Sequence, residues 1–212
     1  MQQTVHFPEI RRFRAVLGFV GAGCALAFIL LGVLVRDGLS PADRWVIDHV
    51  VVVPGSPLHQ AALVLSTVTV LSCAAVLVAV ALRAWWRRPR RGTDLLWCLA
   101  LLLCCGLLAA LQFVFRRPGP PGQPEGFSYP SGHASVAGAF AVVAVVIAAV
   151  FVRKWLLVVV AVQGGALLLT MAARVALTEH YVTDVLGAVL DICAVGLLGA
   201  GAVKRWWVDS PA

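Results

Sequence analysis

Charge is scarce in this chain. Only 13% of its 212 residues are charged, about half the share found in an ordinary globular domain. Hydrophobic residues make up 61%, against roughly 45–50% in such domains. Together these values exclude a soluble domain with a fully solvated surface. Any Cys-x-x-Cys pair is also missing. The six cysteines (Cys24, Cys73, Cys98, Cys104, Cys105 and Cys193) all fall inside apolar runs, where a thiol acts as a small packing residue. Adjacent Cys104 and Cys105 would point to different sides of a helix. This pattern speaks against a disulfide scaffold or a cysteine-based metal module. No cleavable signal is evident. MQQTVHFPEIRRFR leads into an apolar run of about 20 residues, longer than a signal core, so the first span is expected to stay as an anchor. The net charge of +7 is of the sign that binds nucleic acid, but in a membrane chain it reports arginine-rich cytoplasmic loops. No nucleic-acid partner is expected.

What the sequence does have is six apolar runs, each long enough to cross a hydrocarbon core of roughly 30 Å. They lie near 15–35, 59–82, 95–115, 133–152, 155–177 and 181–203. The expected fold is therefore all-α: a polytopic membrane protein of six transmembrane helices, one domain over 1–212. Two connections are long. Residues 36–58, RDGLSPADRWVIDHVVVVPGSPL, mix charge with apolar residues and predict a short helix lying at the interface. Residues 116–132, RRPGPPGQPEGFSYPSG, are too rich in Pro and Gly to be helical throughout.

The basic residues assign the sides. Arg11, Arg12, Arg14, Arg83, Arg87, Arg88, Arg90, Arg91, Arg153, Lys154, Lys204 and Arg205 fall on one side, 12 of the 17. The positive-inside rule places both termini in the cytoplasm, and Trp85, Trp86, Trp155, Trp206 and Trp207 mark the same boundary. The 116–132 loop, the end of span five and the start of span six then face outward together.

That outer face collects the unusual polar residues. Span three ends at Arg116-Arg117-Pro118, span four opens with Pro130-Ser131-Gly132-His133, span five ends near Arg174, and span six opens with His180 and Asp184. The types match phosphoryl transfer. Guanidinium forks fit phosphate oxygens. Amides at the head of span four, at Ser131 and Gly132, favour an anion. Two histidines offer a nucleophile and a proton donor. Asp184, one turn from His180, can orient the ring and stabilise its cation. Each residue alone has a plainer account: snorkelling for Arg116 and Arg117, a wet helix start for His133, a first-turn carboxylate for Asp184. Their common side and spacing are what the plainer account leaves unexplained.

Arg-Pro, then Pro-Ser-Gly-His, then Arg-x5-His-x3-Asp resembles the type 2 phosphatidic acid phosphatase superfamily of membrane lipid phosphatases. The motifs lie within 116–184, and the resemblance implies a catalytic loop between spans three and four. It assigns His180 as the residue that becomes phosphohistidine, Asp184 as its support and His133 as the acid for the leaving group. Arg117, Arg174, Ser131 and Gly132 become phosphate ligands. No metal or cofactor is implied. Two positions depart from the pattern: Ala110 stands where the family has lysine, and Ala173 where it has serine. Arg116 is expected to replace the missing lysine's charge.

The expected substrate is a lipid phosphomonoester or diphosphate held among membrane lipids, first a polyprenyl (di)phosphate of the cell envelope, second phosphatidic acid or phosphatidylglycerol phosphate. A non-catalytic lipid-phosphate binding or transport protein is the competing class, favoured by Ala110. A zinc site on His133, His180 and Asp184 is a third, opposed by the neighbouring arginines. Asp191, two turns below Asp184, is expected to be a buried carboxylate bonded to a neighbouring span, with a polar floor under Asp184 as the alternative.

Overall fold

The computed structural model describes residues 7–50, 52–87 and 92–202. Trp206, Trp207, Lys204, Arg205, Arg88, Arg90 and Arg91, used above to assign sides, lie outside these residues. The described chain is all-helical: α1 (Phe7–Val35), α2 (Pro41–His49), α3 (Pro57–Arg87), α4 (Gly92–Leu108), α5 (Gln112–Phe115), α6 (Gly132–Phe151), α7 (Leu156–Ala176) and α8 (Val182–Ala202). Six helical segments are long and apolar enough to cross a membrane, with α4 and α5 sharing one of them. The protein is a multi-pass membrane protein.

The third span is interrupted where the sequence pattern runs on. Residues Ala109–Leu111 tighten into a 3-10 turn between α4 and α5. The helix then stops at Phe115, because Arg116 takes the left-handed conformation at φ 52°. Ala110 and Arg117, seven positions apart, are therefore not on one continuous helical face. Ala110 is exposed.

Helices α6 and α8 form the centre. α6 packs against α3, α4, α7 and α8, and α8 packs against α1 as well. The sequence of α6 explains its place. Ala134, Ala137, Gly138, Ala139, Ala141, Ala144 and Ala148 are all buried, and small residues let helices approach closely where lipid gives no hydrophobic drive. The side chains that stay exposed, among them Phe19, Leu30, Leu34, Trp86 and Leu157, are the large apolar ones a lipid-facing surface tolerates. Polar side chains stitch α3 to α7 inside the bundle: Thr69 Oγ1 meets Thr170 Oγ1 at 2.7 Å, and Gln163 Nε2 donates to the Cys73 carbonyl at 3.1 Å. Asp191 is buried, and the Ser135 side chain of the neighbouring α6 interacts with its carboxylate, as expected.

At one end of the bundle the loops gather. The Pro- and Gly-rich 116–131 segment folds back on itself, with Ser128 N donating to the Arg117 carbonyl at 3.0 Å and Gly119 N to Gly126 at 3.0 Å. It is fastened to the α7–α8 turn by Gly122 N, which donates to the Thr178 carbonyl at 2.9 Å. Tyr129 then wedges between α1 and α8. It is fully buried, stacks on Phe28 with ring centroids 5.3 Å apart, and donates its hydroxyl to the Phe28 carbonyl at 2.6 Å. The ring fits because Gly32 and Gly187 face it; a Cβ at either would overlap the ring. This wedge fixes the entry of the chain into α6.

Candidate active site

The helix ends that meet at this end of the bundle bring Arg117, Thr183 and Asp184 together with a residue the sequence pattern did not flag, Asp43. Arg117 is 1% exposed. Its Nη1 donates to Asp184 Oδ1 at 2.6 Å and to Thr183 Oγ1 at 2.7 Å. Its Nη2 donates to Asp43 Oδ2 at 2.9 Å and to the Gly38 carbonyl at 3.2 Å. The guanidinium also stands 4.2 Å from the centre of the Tyr181 ring. Both fork nitrogens are thus committed to carboxylates. The remaining donor, Nε, is buried without a partner.

Asp43 reaches this cluster because of its local sequence. Ser40-Pro41-Ala42-Asp43 opens α2 as a capping box: Ser40 Oγ accepts from Asp43 N at 3.1 Å, and Ser40 N donates to Asp43 Oδ2 at 3.2 Å. The same carboxylate takes the Thr183 amide at 3.0 Å and the Thr183 hydroxyl at 2.8 Å, so it caps the start of α8 from another helix. Burial raises the Asp43 carboxyl, but the bonds from Thr183 and Arg117 outweigh it and hold it below its ordinary 3.8. The S-P-A-D stretch is legible as a helix start. Nothing local in it points to Arg117, 74 positions away.

His180 sits just before α8 and is buried. Its amide hangs from the Arg174 carbonyl at the end of α7, at 3.4 Å. Its Nδ1 lies 3.1 Å from the Ser128 carbonyl and 3.8 Å from Asp184 Oδ2. A carbonyl only accepts, so Nδ1 carries the proton and Nε2 keeps its lone pair. The partner at bonding distance is thus a backbone carbonyl that no side-chain motif reveals. Asp184 adds its charge from slightly farther away while its Oδ2 accepts the Tyr181 amide at 2.8 Å. Burial raises the Tyr181 phenol; the Arg117 guanidinium opposes this, and Asp184 and Asp43 add to it.

The remaining candidates divide. Arg174 is nearly buried, its Nη2 is paired with Glu179, and its Nε has no partner. Ser131 is fully buried and stands before α6 in extended conformation. Its amide donates to the Asp184 carbonyl at 3.2 Å, while its Oγ has no partner and does not cap the helix. Gly132 is the first residue of α6, and His133 follows, exposed and within electrostatic range of Arg174 and His180. Arg116 lies outside the buried cluster: it is exposed, and its Nε donates to the Phe113 carbonyl at 3.1 Å. Beside the cluster is a cavity of about 360 Å³ lined by Arg36, Asp37, Gly38, Leu39, Arg117, Pro118 and Tyr181.

A family model described as the PAP2 superfamily matches residues 113–210, which holds Arg117, Ser131, His133, Arg174, His180 and Asp184 but not Asp43 or Ala110. No curated protein gives a significant match. Among solved structures the chain resembles a transmembrane PAP2-type phosphatidylglycerolphosphate phosphatase from Bacillus subtilis, at 23% identity and a TM-score of 0.68, covering 86% of this chain and 95% of the other. That likeness is one of fold. The matched segment, residues 113–210, is similar to the PAP2 superfamily and carries the motif residues gathered at one end of the bundle.

Proposed function

We propose that the protein is an integral membrane phosphatase that hydrolyses a lipid phosphomonoester or diphosphate at the outer membrane face, with both termini in the cytoplasm. The observation that carries this reading is a set of buried donors left unpaired beside an oriented histidine. Arg117 Nε, Arg174 Nε and Ser131 Oγ have no partner, and an unsatisfied buried donor is costly unless a ligand takes it. A phosphate offers acceptor oxygens to all three. The uncapped head of α6 at Gly132 adds amides and a favourable dipole, and exposed Arg116 adds to the positive field at this end.

In this mechanism His180 Nε2 attacks phosphorus, and the bond to the lipid oxygen or to the leaving phosphate breaks. His133 gives its proton to that leaving oxygen. Asp184 and the Ser128 carbonyl stabilise the imidazolium of the phosphohistidine. A water activated by His133 then attacks phosphorus, releases inorganic phosphate and restores His180. The arginines supply the positive charge throughout, so no metal is invoked. A polyprenyl (di)phosphate is the first substrate expected, because an outward site suits recycling of an envelope carrier. Phosphatidylglycerol phosphate is the second, favoured by the Bacillus subtilis fold relative.

The test is a panel of lipid phosphates assayed with purified protein in chelator-containing buffer. Phosphate release that vanishes by several orders of magnitude in His180→Ala supports the assignment. Activity within tenfold of wild type in that variant overturns it. No release from any lipid returns the protein to the binding or transport class. His133→Ala should lose more activity on a lipid phosphate than on p-nitrophenyl phosphate, whose leaving group needs little protonation.

A further inference from the structure

Asp43 lies outside the segment matched by the family model, on α2 rather than on a span, yet it bonds directly to Arg117 and to the first turn of α8. Four groups donate to it: Arg117 Nη2, the Thr183 amide, the Thr183 hydroxyl and the Ser40 amide. It is 1% exposed. We propose that Asp43 is a positioning residue for the reaction, holding Arg117 and the start of α8 so that Asp184 presents its second oxygen towards His180. The proposal rests on the phosphatase reading and adds a residue to it.

The geometry gives the reason. Arg117 lies between two carboxylates, one on each fork nitrogen. With Asp43 in place, the guanidinium is pulled both ways and meets Asp184 through Oδ1 alone. Asp184 Oδ2 is left for the Tyr181 amide and the His180 ring. Without Asp43, Nη2 keeps only the Gly38 carbonyl at 3.2 Å, and the fork-to-carboxylate bidentate pair that arginine prefers would draw in both oxygens of Asp184. The hold on the Thr183 amide would be lost at the same time, next in sequence to Asp184.

Asp43 also sets the local charge. His180 faces Asp184 on α8 and the neutral Ser128 carbonyl in the 116–131 loop, with His133 on α6 in electrostatic range; Arg174 pairs with Glu179 at the end of α7, and Arg117, beside Tyr181, links Asp184 to Asp43 on α2. Asp43, Arg117 and Asp184 together carry one net negative charge. Asp43→Asn makes that sum zero, which disfavours an imidazolium at His180.

The experiment compares wild type, Asp43→Asn and Asp43→Glu in phosphate release from the best lipid of the panel, across pH. Positioning predicts that Asp43→Asn lowers kcat at least tenfold with KM within about threefold. It also moves the acidic limb of kcat/KM to lower pH by roughly one unit. Asp43→Glu keeps the charge, so its limb should stay at the wild-type pH even if kcat falls. An Asp43→Asn variant that loses activity equally at every pH, with its limb unmoved, overturns the proposal and leaves Asp43 a purely structural cap. Should Asp43→Asn fail to fold, Thr183→Val serves. It removes the hydroxyl shared by Asp43 and Arg117 without a charge change, so kcat should fall several-fold with the limb unmoved, and an unchanged kcat overturns the proposal. Absence of activity in wild type, or activity surviving in His180→Ala, overturns the phosphatase reading instead.

Discussion

The two halves of α8 are held by different physics. Its head, at Thr183 and Asp184, is gripped by charge: Arg117 from the loop, Asp43 from α2 and the amide of Ser131 all bond to it. Its lower half meets its neighbours chiefly through packing. Gly196 and Ala194 there meet Val142 of α6 and Gly21 of α1 through close contact alone, and Arg14 closes the far end with a 2.7 Å bond to the Gly201 carbonyl. Directional bonds hold a group to within tenths of an ångström, which a phosphate site needs. Close-packed small residues hold helices together but leave side-chain chemistry unspecified. The comparison predicts that the head fails by losing charge balance and the lower half by losing space.

The largest effect should come from Arg117→Ala. It leaves Asp43 and Asp184 buried with no counter-charge, and breaking a buried ion pair from one side costs about 3–5 kcal/mol. Thermal unfolding in detergent should fall by many degrees, and phosphate release should be lost. Arg117→Lys keeps the charge but cannot span both carboxylates. It should recover most of the stability and little of the activity. Equal stability of Arg117→Ala and wild type would refute the charge account of the α8 head.

Next is the joint between the two halves. Gly187 faces the Tyr129 ring, so Gly187→Ala must move Tyr129 or part α1 from α8. Overpacking of this kind costs about 1–3 kcal/mol. Because Tyr129 leads into Ser131 and His133, kcat should fall along with the melting temperature. Gly196→Ala brings a Cβ within 2.5 Å of a Val142 methyl. It should cost a similar amount of stability but leave kcat within about twofold, since no site residue leans on that contact. A matching loss of kcat in both variants would erase the distinction between the halves.

The six spans were legible because a bilayer demands long apolar runs, and the motif residues because their spacings survive as printed text. Most boundaries moved by a few residues, but α1 begins eight residues early, at Phe7 rather than 15. Other features were out of reach for a physical reason. The Ser128 carbonyl is backbone, so no residue type announces it. Asp43 looks like a helix cap and is one; its second duty exists only once α2 folds over α8. Tyr129 carries no motif, and the glycines that admit it sit on two helices distant in sequence. The break at Ala109–Leu111 falls on apolar residues inside a span-length run, with no proline to mark it.

The smallest effect expected is that of Ala110→Lys, which restores the family's lysine. On an uninterrupted helix residue 110 would stand two turns behind Arg117 on the same face, about 10 Å deeper. A lysine could then reach the phosphate. The 3-10 turn and the left-handed Arg116 remove that alignment, and Ala110 is exposed on the flank of the third span. A lysine there points towards lipid or snorkels to the headgroups, and its charge inside a span costs up to roughly 2.5–3.5 kcal/mol, less near the end. The expected outcome is a small loss of thermal stability with KM for a lipid monophosphate within about twofold of wild type. Arg116 is turned to the Phe113 carbonyl, so Arg116→Ala should likewise change KM by less than threefold, and less still at high salt, where only its contribution to the field remains to be screened. A severalfold fall in KM for Ala110→Lys would mean that the third span straightens when substrate binds, joining its apolar flank to the charged head.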